Sequence, residues 1–355
     1  MRVLITGATG YVGGRITAAV KEAGHEVRLL VRSPNRTATL RPLGLADLPT
    51  EVGDITDRES VRRALDGCDA VVHAAAVYSL DRRSTALMER VNAPGTANVL
   101  EEAAELGLDP VVHVSSTVAF LPGTGETIGP DSPVGAPRFA DARTKADSER
   151  IARRLQDGGA AVVSVYPGAV YGANDPYFGE QAQLVRALLR RRLPVLPTGG
   201  FHVVDADDVG ATVAALLEPG RGPRRYVVPG WHRSVPEIAD ELSRLTGRRI
   251  PYAKMSSRVL MPSARPTDAL QRLLPIRLPV SGEAIYVTAC DLRFDDSKTR
   301  SEFGLEPRPF ADTLREMVAW LAAEGRIPRR AAGALADTPD ASPTAAKERP
   351  KAARR

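Results

Sequence analysis

At 355 residues with 43% hydrophobic content, the chain is long enough for one large domain plus a smaller one and too apolar for disorder to be its default. The formal charge of +5 is local: residues 326–355 hold eight Arg/Lys and three Asp/Glu, net +5, so residues 1–325 balance at zero. With no basic patch interleaved with aromatics, no apolar run near the ~20 residues of a membrane helix and only Cys68 and Cys290, far apart and without metal spacing, neither nucleic acid, membrane nor metal is expected. The opening residues read as a strand and not as a basic, apolar leader, and a reducing cytoplasm is the expected location.

The first stretch with chemical content runs from an apolar strand at Arg2 into Thr6-Gly7-Ala-Thr9-Gly10-Tyr11-Val12-Gly13. A helical stripe (Ile16, Val20, Ala23) and a second strand, Glu26 to Val31, follow. Glycines so spaced allow a tight turn and let backbone N–H groups approach a pyrophosphate, which the helix N-terminus then stabilises. Strand, turn, helix and strand together make a dinucleotide site the expected reading. Past the second strand an NAD site would usually place an acid, but this chain has Arg32 and then Arg36. Guanidinium groups suit an adenosine 2′-phosphate, so NADP(H) is favoured over NAD(H).

The Thr-Gly-x-x-Gly-x-x-Gly spacing resembles the extended short-chain dehydrogenase/reductases, which include nucleotide-sugar epimerases, dihydroflavonol reductases and 3β-hydroxysteroid dehydrogenases. The resemblance implies an α/β fold: a Rossmann-type doubly wound parallel sheet over residues 1–170, to which some later segments return. It also implies a smaller mixed α/β substrate domain over 171–325, and family relatives pair as homodimers. Residues 326–355, rich in Ala, Pro and Arg, are expected to form a mobile tail.

Along the chain, the resemblance places Asp54 and Ile55 beside the adenine, while Thr56 or Asp57 caps the next helix. The apolar run Ala70 to Ala76 reads as a buried parallel strand whose small residues Ala74, Ala75 and Ala76 leave room for the cofactor. His73 is expected in the core. Tyr78, at the carboxyl end of that strand where open α/β sheets bind ligands, is a candidate for the small-molecule substrate pocket. Asn92 opens a segment similar to the family's Asn-x-x-Gly-Thr-x-Asn signature and is expected to tie its helix to neighbouring strands. Ser116, in a Ser-Ser-x-x-x-Phe context ending at Phe120, aligns with the residue that would hydrogen-bond the reacting oxygen. Tyr166-Pro167-Gly168-Ala-Val170 resembles the family's Arg-Pro-Gly-x-Val, which passes beside the nicotinamide. Asp208 is expected to cap a helix over 209–217, and residues 255–279 read as a lid.

The family's Tyr-x-x-x-Lys helix is where the chain departs from its pattern. Lys145 fits and would hold the nicotinamide ribose, but the tyrosine position is Asp141, and no tyrosine lies between Tyr78 and Tyr166. Lysine normally lowers the pKa of the phenol; beside Lys145 a carboxyl should be held ionised and serve poorly as an acid. Asp141 could act as a base toward an alcohol, donate if desolvation overrode the lysine, or simply form an i,i+4 ion pair. Tyr78, Tyr171, Tyr177 or a water could carry the proton instead. The expected function is an NADP(H)-dependent oxidoreductase with a non-standard site; the alternatives are an epimerase or dehydratase with transient hydride transfer, and a non-catalytic NADP(H)-binding regulator.

Overall fold

The computed structural model describes residues 1–78, 82–123, 127–260 and 282–336. Its first half alternates strand and helix as the hydrophobic pattern requires: β1 (Arg2–Thr6), α1 (Tyr11–Glu22), β2 (Glu26–Val31), β3 (Thr50–Val52), α2 (Arg58–Leu65), β4 (Ala70–His73), α3 (Thr85–Glu105) and β5 (Val111–Val114). A short β6 (Thr127–Ile128) precedes α4 (Ala140–Asp157), β7 (Val162–Tyr166) and β8 (Ala169–Tyr171). Then follow α5 (Glu180–Leu189), β9 (Val195–Thr198), β10 (Gly200–Asp205), α6 (Ala206–Ala215), β11 (Arg224–Val227), β12 (Trp231–Ser234), α7 (Val235–Thr246), β13 (Ala253–Ser256) and β14 (Arg293–Phe294).

Seven strands form one parallel sheet in the order β11-β7-β5-β4-β1-β2-β3. The order reverses between β1 and β4, which opens a crevice at the carboxyl ends of those strands, where α/β sheets bind ligands. Continuous apolar strands are what a sheet covered on both faces needs: Val71, Val72, Val111, Val112, Val162 and Val163 are all buried completely. Residues beyond 170 do return to this layer, because β11 extends the sheet edge and α6 packs on α1.

The remaining elements build a second core from α5, α7 and the closing helix Phe310–Ala323, with Tyr171, Leu188, Leu242 and Leu314 fully buried. Three small sheets, β12-β10-β8, β13-β9 and β14-β6, brace it.

Two expectations need correction. The basic terminal segment is not mobile throughout: Ile327, Ala331, Ala332 and Leu335 pack into the second core, and Arg329–Ala332 is helical. Burial of these apolar groups, invisible in the segment's Arg-rich composition, holds residues 327–335 in place; residues 337–355 lie outside the described residues. Asp208 is not the cap of its helix. The helix starts earlier, at Ala206; Asp205 accepts the Asp207 N–H, while Asp208 Oδ2 accepts the Arg308 N–H at 2.7 Å. Most of the expected lid, 261–279, also lies outside the described residues.

Candidate functional site

One cavity of about 1270 Å³ runs from the glycine turn to the second core. The turn is closed backbone on backbone. Gly7 has φ +77°, and a Cβ there would sit 2.6 Å from Ala75 N; one on Gly13 would sit 2.1 Å from Gly7 O. Helix α1 begins at Gly10 with no side-chain cap and no acid in its first turn, so its unpaired N–H groups and positive dipole end are left for an anion. The cavity wall there is Thr9, Gly10, Tyr11, Val12 and Gly13. These features fit a dinucleotide pyrophosphate.

The other sequence-named residues line the same cavity: Arg32 and Arg36 past β2, Asp54 and Ile55 past β3, Ala74 to Ala76 and Tyr78 past β4, Ser116 past β5, Asp141 and Lys145 on α4, and Pro167, Gly168 and Val170 past β7. The guanidinium groups of Arg32 and Arg36 are exposed and, among the described residues, make no ion pair. Asp54 Oδ1 is occupied by the N–H and hydroxyl of Thr56, and Asp57 supplies the cap of α2.

Behind this wall Asn92, His73 and Tyr166 find polar partners close by. Asn92 brackets Val77, accepting its N–H at 2.7 Å and donating to its carbonyl at 2.9 Å, and also donates to Thr144 Oγ1 at 3.0 Å. It thereby fixes the segment after β4 against α3 and α4. His73 is a core residue, held by Thr6 at 2.8 Å and Thr96 at 3.1 Å, with burial lowering its pKa to about 3. Tyr166 donates to buried Glu149 at 2.7 Å, and Arg153 on α4 pairs with the same carboxylate at 3.1 Å.

Asp141 behaves differently from its expectation. It is only 5% exposed, its Oδ1 has no hydrogen-bond partner, and no ion pair joins it to Lys145 among the described residues. Desolvation pushes its pKa up to about 6, against the opposing pull of Lys145. Burial also lowers the Lys145 ammonium, partly offset by Asp141. Desolvation of the carboxyl outweighs the pull of the lysine, so Asp141 is held in its charged form less firmly than expected, and the surface ion pair does not describe the site.

Of the alternative phenols, Tyr171 is completely buried with an unpartnered hydroxyl, and Tyr177 donates to Thr9 O at 3.0 Å. Tyr78 donates to Glu180 Oε2 at 2.5 Å. Sequence reasoning missed Glu180 and Glu283, which line the cavity together with Ser115 and Thr117. The hydroxyls beside Ser116 were visible in Ser115-Ser-Thr117. Glu180 and Glu283 come from distant chain segments and left no motif.

Sheet order, switch-point crevice and glycine turn define a Rossmann-type α/β protein with a second, smaller core. The description "NAD dependent epimerase/dehydratase family" matches residues 3–228, and the chain belongs to that family, within the extended short-chain dehydrogenase/reductases. It is 31% identical to sterol demethylase protein B of Methylococcus capsulatus over 92% of this chain and 100% of that one. It is 28% identical to a 4-hydroxy-2-methyl-3-oxo-4-farnesyl-3,4-dihydroquinoline-1-oxide ketoreductase of Stigmatella aurantiaca, over 93% and 100%. The solved dTDP-glucose 4,6-dehydratase DesIV of Streptomyces venezuelae, with NAD bound, superposes with a TM-score of 0.70 at 25% identity, over 92% and 98%. No helix among the described residues is long and apolar enough to cross a membrane, and those residues hold no cluster suited to a metal ion.

Proposed function

We propose that the protein is a nicotinamide-dependent oxidoreductase interconverting an alcohol and a carbonyl on an apolar small molecule, with NADP(H) preferred over NAD(H). The observation that carries this reading is the continuity of the cavity. It joins the uncapped start of α1 to Ser116, Asp141 and Lys145, and continues past them to Leu193, Leu196, Phe201 and Met317. These apolar residues suit the hydrocarbon body of a substrate, Arg186, Arg190 and Arg192 in the same lining could meet a polar group on it, and the names of the sterol and farnesyl-quinoline relatives agree with a largely apolar class.

When bound, the nicotinamide supplies or accepts the hydride. The glycine turn and the start of α1 hold the pyrophosphate, Lys145 holds the adjoining ribose, and Arg32 and Arg36 meet the 2′-phosphate. Ser116 donates to the substrate oxygen; its present tie, accepting the Val118 N–H at 3.4 Å, leaves its proton free. Asp141 stands where the family has its phenol but is not equivalent to it. With a pKa of about 6 it is roughly one-tenth protonated at pH 7.

The test is NADPH and NADH oxidation with benzaldehyde, acetophenone and a 3-ketosteroid, using the native chain and Asp141→Tyr. NADPH consumption by the native chain supports the reading. Tight NADPH binding with turnover only in Asp141→Tyr rejects it in favour of the regulator, and binding of NAD(P) that is reduced and reoxidised without net loss favours the epimerase or dehydratase.

A further inference from the structure

The Tyr78–Glu180 hydrogen bond spans the cavity mouth between the two halves of the molecule. Tyr78 follows β4 and is half exposed, and Glu180 stands in the first turn of α5. Asp141 on α4 acts electrostatically on both, and Glu283, from the helix Gly282–Cys290, faces Tyr78 while accepting the Ala142 N–H at 3.3 Å. All four line the cavity with Ser116 and Lys145. A phenol hydrogen-bonded to a carboxyl at 2.5 Å sits close enough for the proton to be shared between them.

Resting on the oxidoreductase reading, we propose that Tyr78 and Glu180 form one proton-delivering pair that replaces the absent family tyrosine. In reduction, the carbonyl carbon receives the hydride of the reaction and its oxygen takes the Tyr78 hydroxyl proton. The Tyr78 oxygen takes the Glu180 carboxyl proton in the same movement. Glu180 is left as a carboxylate and regains a proton from water at the open mouth. In alcohol oxidation each transfer reverses.

The electrostatics suit this traffic. Burial raises Glu180 to about 7, the nearby Asp141 adds to the rise, and the bond from Tyr78 opposes it. Protonated Glu180 donates to the phenol oxygen and frees the phenol hydrogen for the substrate. Desolvation of the hydroxyl, on a side chain half exposed as a whole, together with Glu180, Asp141 and Glu283, holds the Tyr78 phenol well above its ordinary 10, so it does not ionise on its own. Asp141 is then a positioning residue that acts through Glu180.

Reduction by NADPH is measured from pH 5.5 to 8.5 for the native chain, Tyr78→Phe, Glu180→Gln, the double variant and Asp141→Asn. The expected result is a loss of 10²–10⁴-fold in kcat for either single variant, with no further loss in the double, because the two act as a unit. In Asp141→Asn the profile shifts to lower pH, since Glu180 loses a like-charged neighbour. Either single variant staying within about threefold of native, or losses that multiply in the double, overturns the pair. Infrared titration of the cofactor-free protein reads the pair without turnover. A protonated-carboxyl band lost near pH 7, absent in Glu180→Gln and displaced in Tyr78→Phe, supports it; a band indifferent to Tyr78→Phe overturns it. If the native chain consumes no NADPH, the oxidoreductase reading fails and the infrared result alone decides whether the proton is shared.

Discussion

Replacing Asp141 by Asn isolates the cost of holding an unpaired carboxylate inside the protein. The folded state binds this proton up to about pH 6, whereas the exposed carboxyl releases it near 3.8. Between about pH 4 and pH 6 the native state therefore carries more protons than the unfolded chain, and stability must fall as pH rises through that window. At 1.36 kcal/mol per pH unit, the gap corresponds to about 3 kcal/mol, fully felt by pH 7. Asn keeps the shape and has no such charge. The stability difference, Asn variant minus native, should therefore grow by about 2.5 kcal/mol from pH 4 to pH 7.5, whatever fixed cost the amide adds. Thermal denaturation of both proteins across that range, compared at each pH, reads the difference directly. A difference flat to within about 0.5 kcal/mol would show that Asp141 is solvated or paired in solution, and that the burial argument is wrong.

Three further outcomes follow from the cofactor wall. Arg32→Ala with Arg36→Ala should weaken NADPH binding about 10- to 100-fold and leave NADH within about threefold, since each charged hydrogen bond is worth ~1.5–3 kcal/mol; equal losses for both cofactors would remove the 2′-phosphate assignment. Lys145→Met should weaken both cofactors about 10-fold or more by the same measure, read by quenching of protein fluorescence, and unchanged affinity would place the ribose elsewhere. Gly13→Ala puts a methyl into the Gly7 carbonyl, 2.1 Å from its oxygen, and should cost at least ~1–3 kcal/mol of stability together with cofactor binding; a variant of native melting temperature with normal NADPH affinity would contradict the backbone packing of the turn.

Much of this was legible in the chain because strand and helix periods announce themselves. The valine-rich runs at 70–73, 111–114 and 162–166 read as covered parallel strands and are so, and the glycine spacing located the tight turn that lines the cavity. Asn92 and His73 behaved as read, since a buried amide or imidazole must find partners and the nearest backbone and threonines supplied them. Asp141 was misjudged for a physical reason. Spacing revealed the neighbouring Lys145 but not the depth of burial, and at this position desolvation outweighs the neighbour. Asp205 and Asp208 could not be ranked as caps from sequence, because the choice depended on Arg308 arriving from 100 residues away. Glu180 carries no signal in sequence beyond an acid at a helix start; only the fold brings it to Tyr78, 102 residues earlier.

The most direct measurement is label transfer. The native protein is incubated with NADPH carrying deuterium at the reactive C4 position and with the ketone or aldehyde it consumes, and the product alcohol is examined by mass spectrometry. Deuterium on the carbinol carbon, in equal amount to the NADPH oxidised, is the result expected of a cavity that brings the cofactor to Ser116 and Lys145. NADPH that binds the native chain yet keeps its label with every carbonyl offered would contradict that claim.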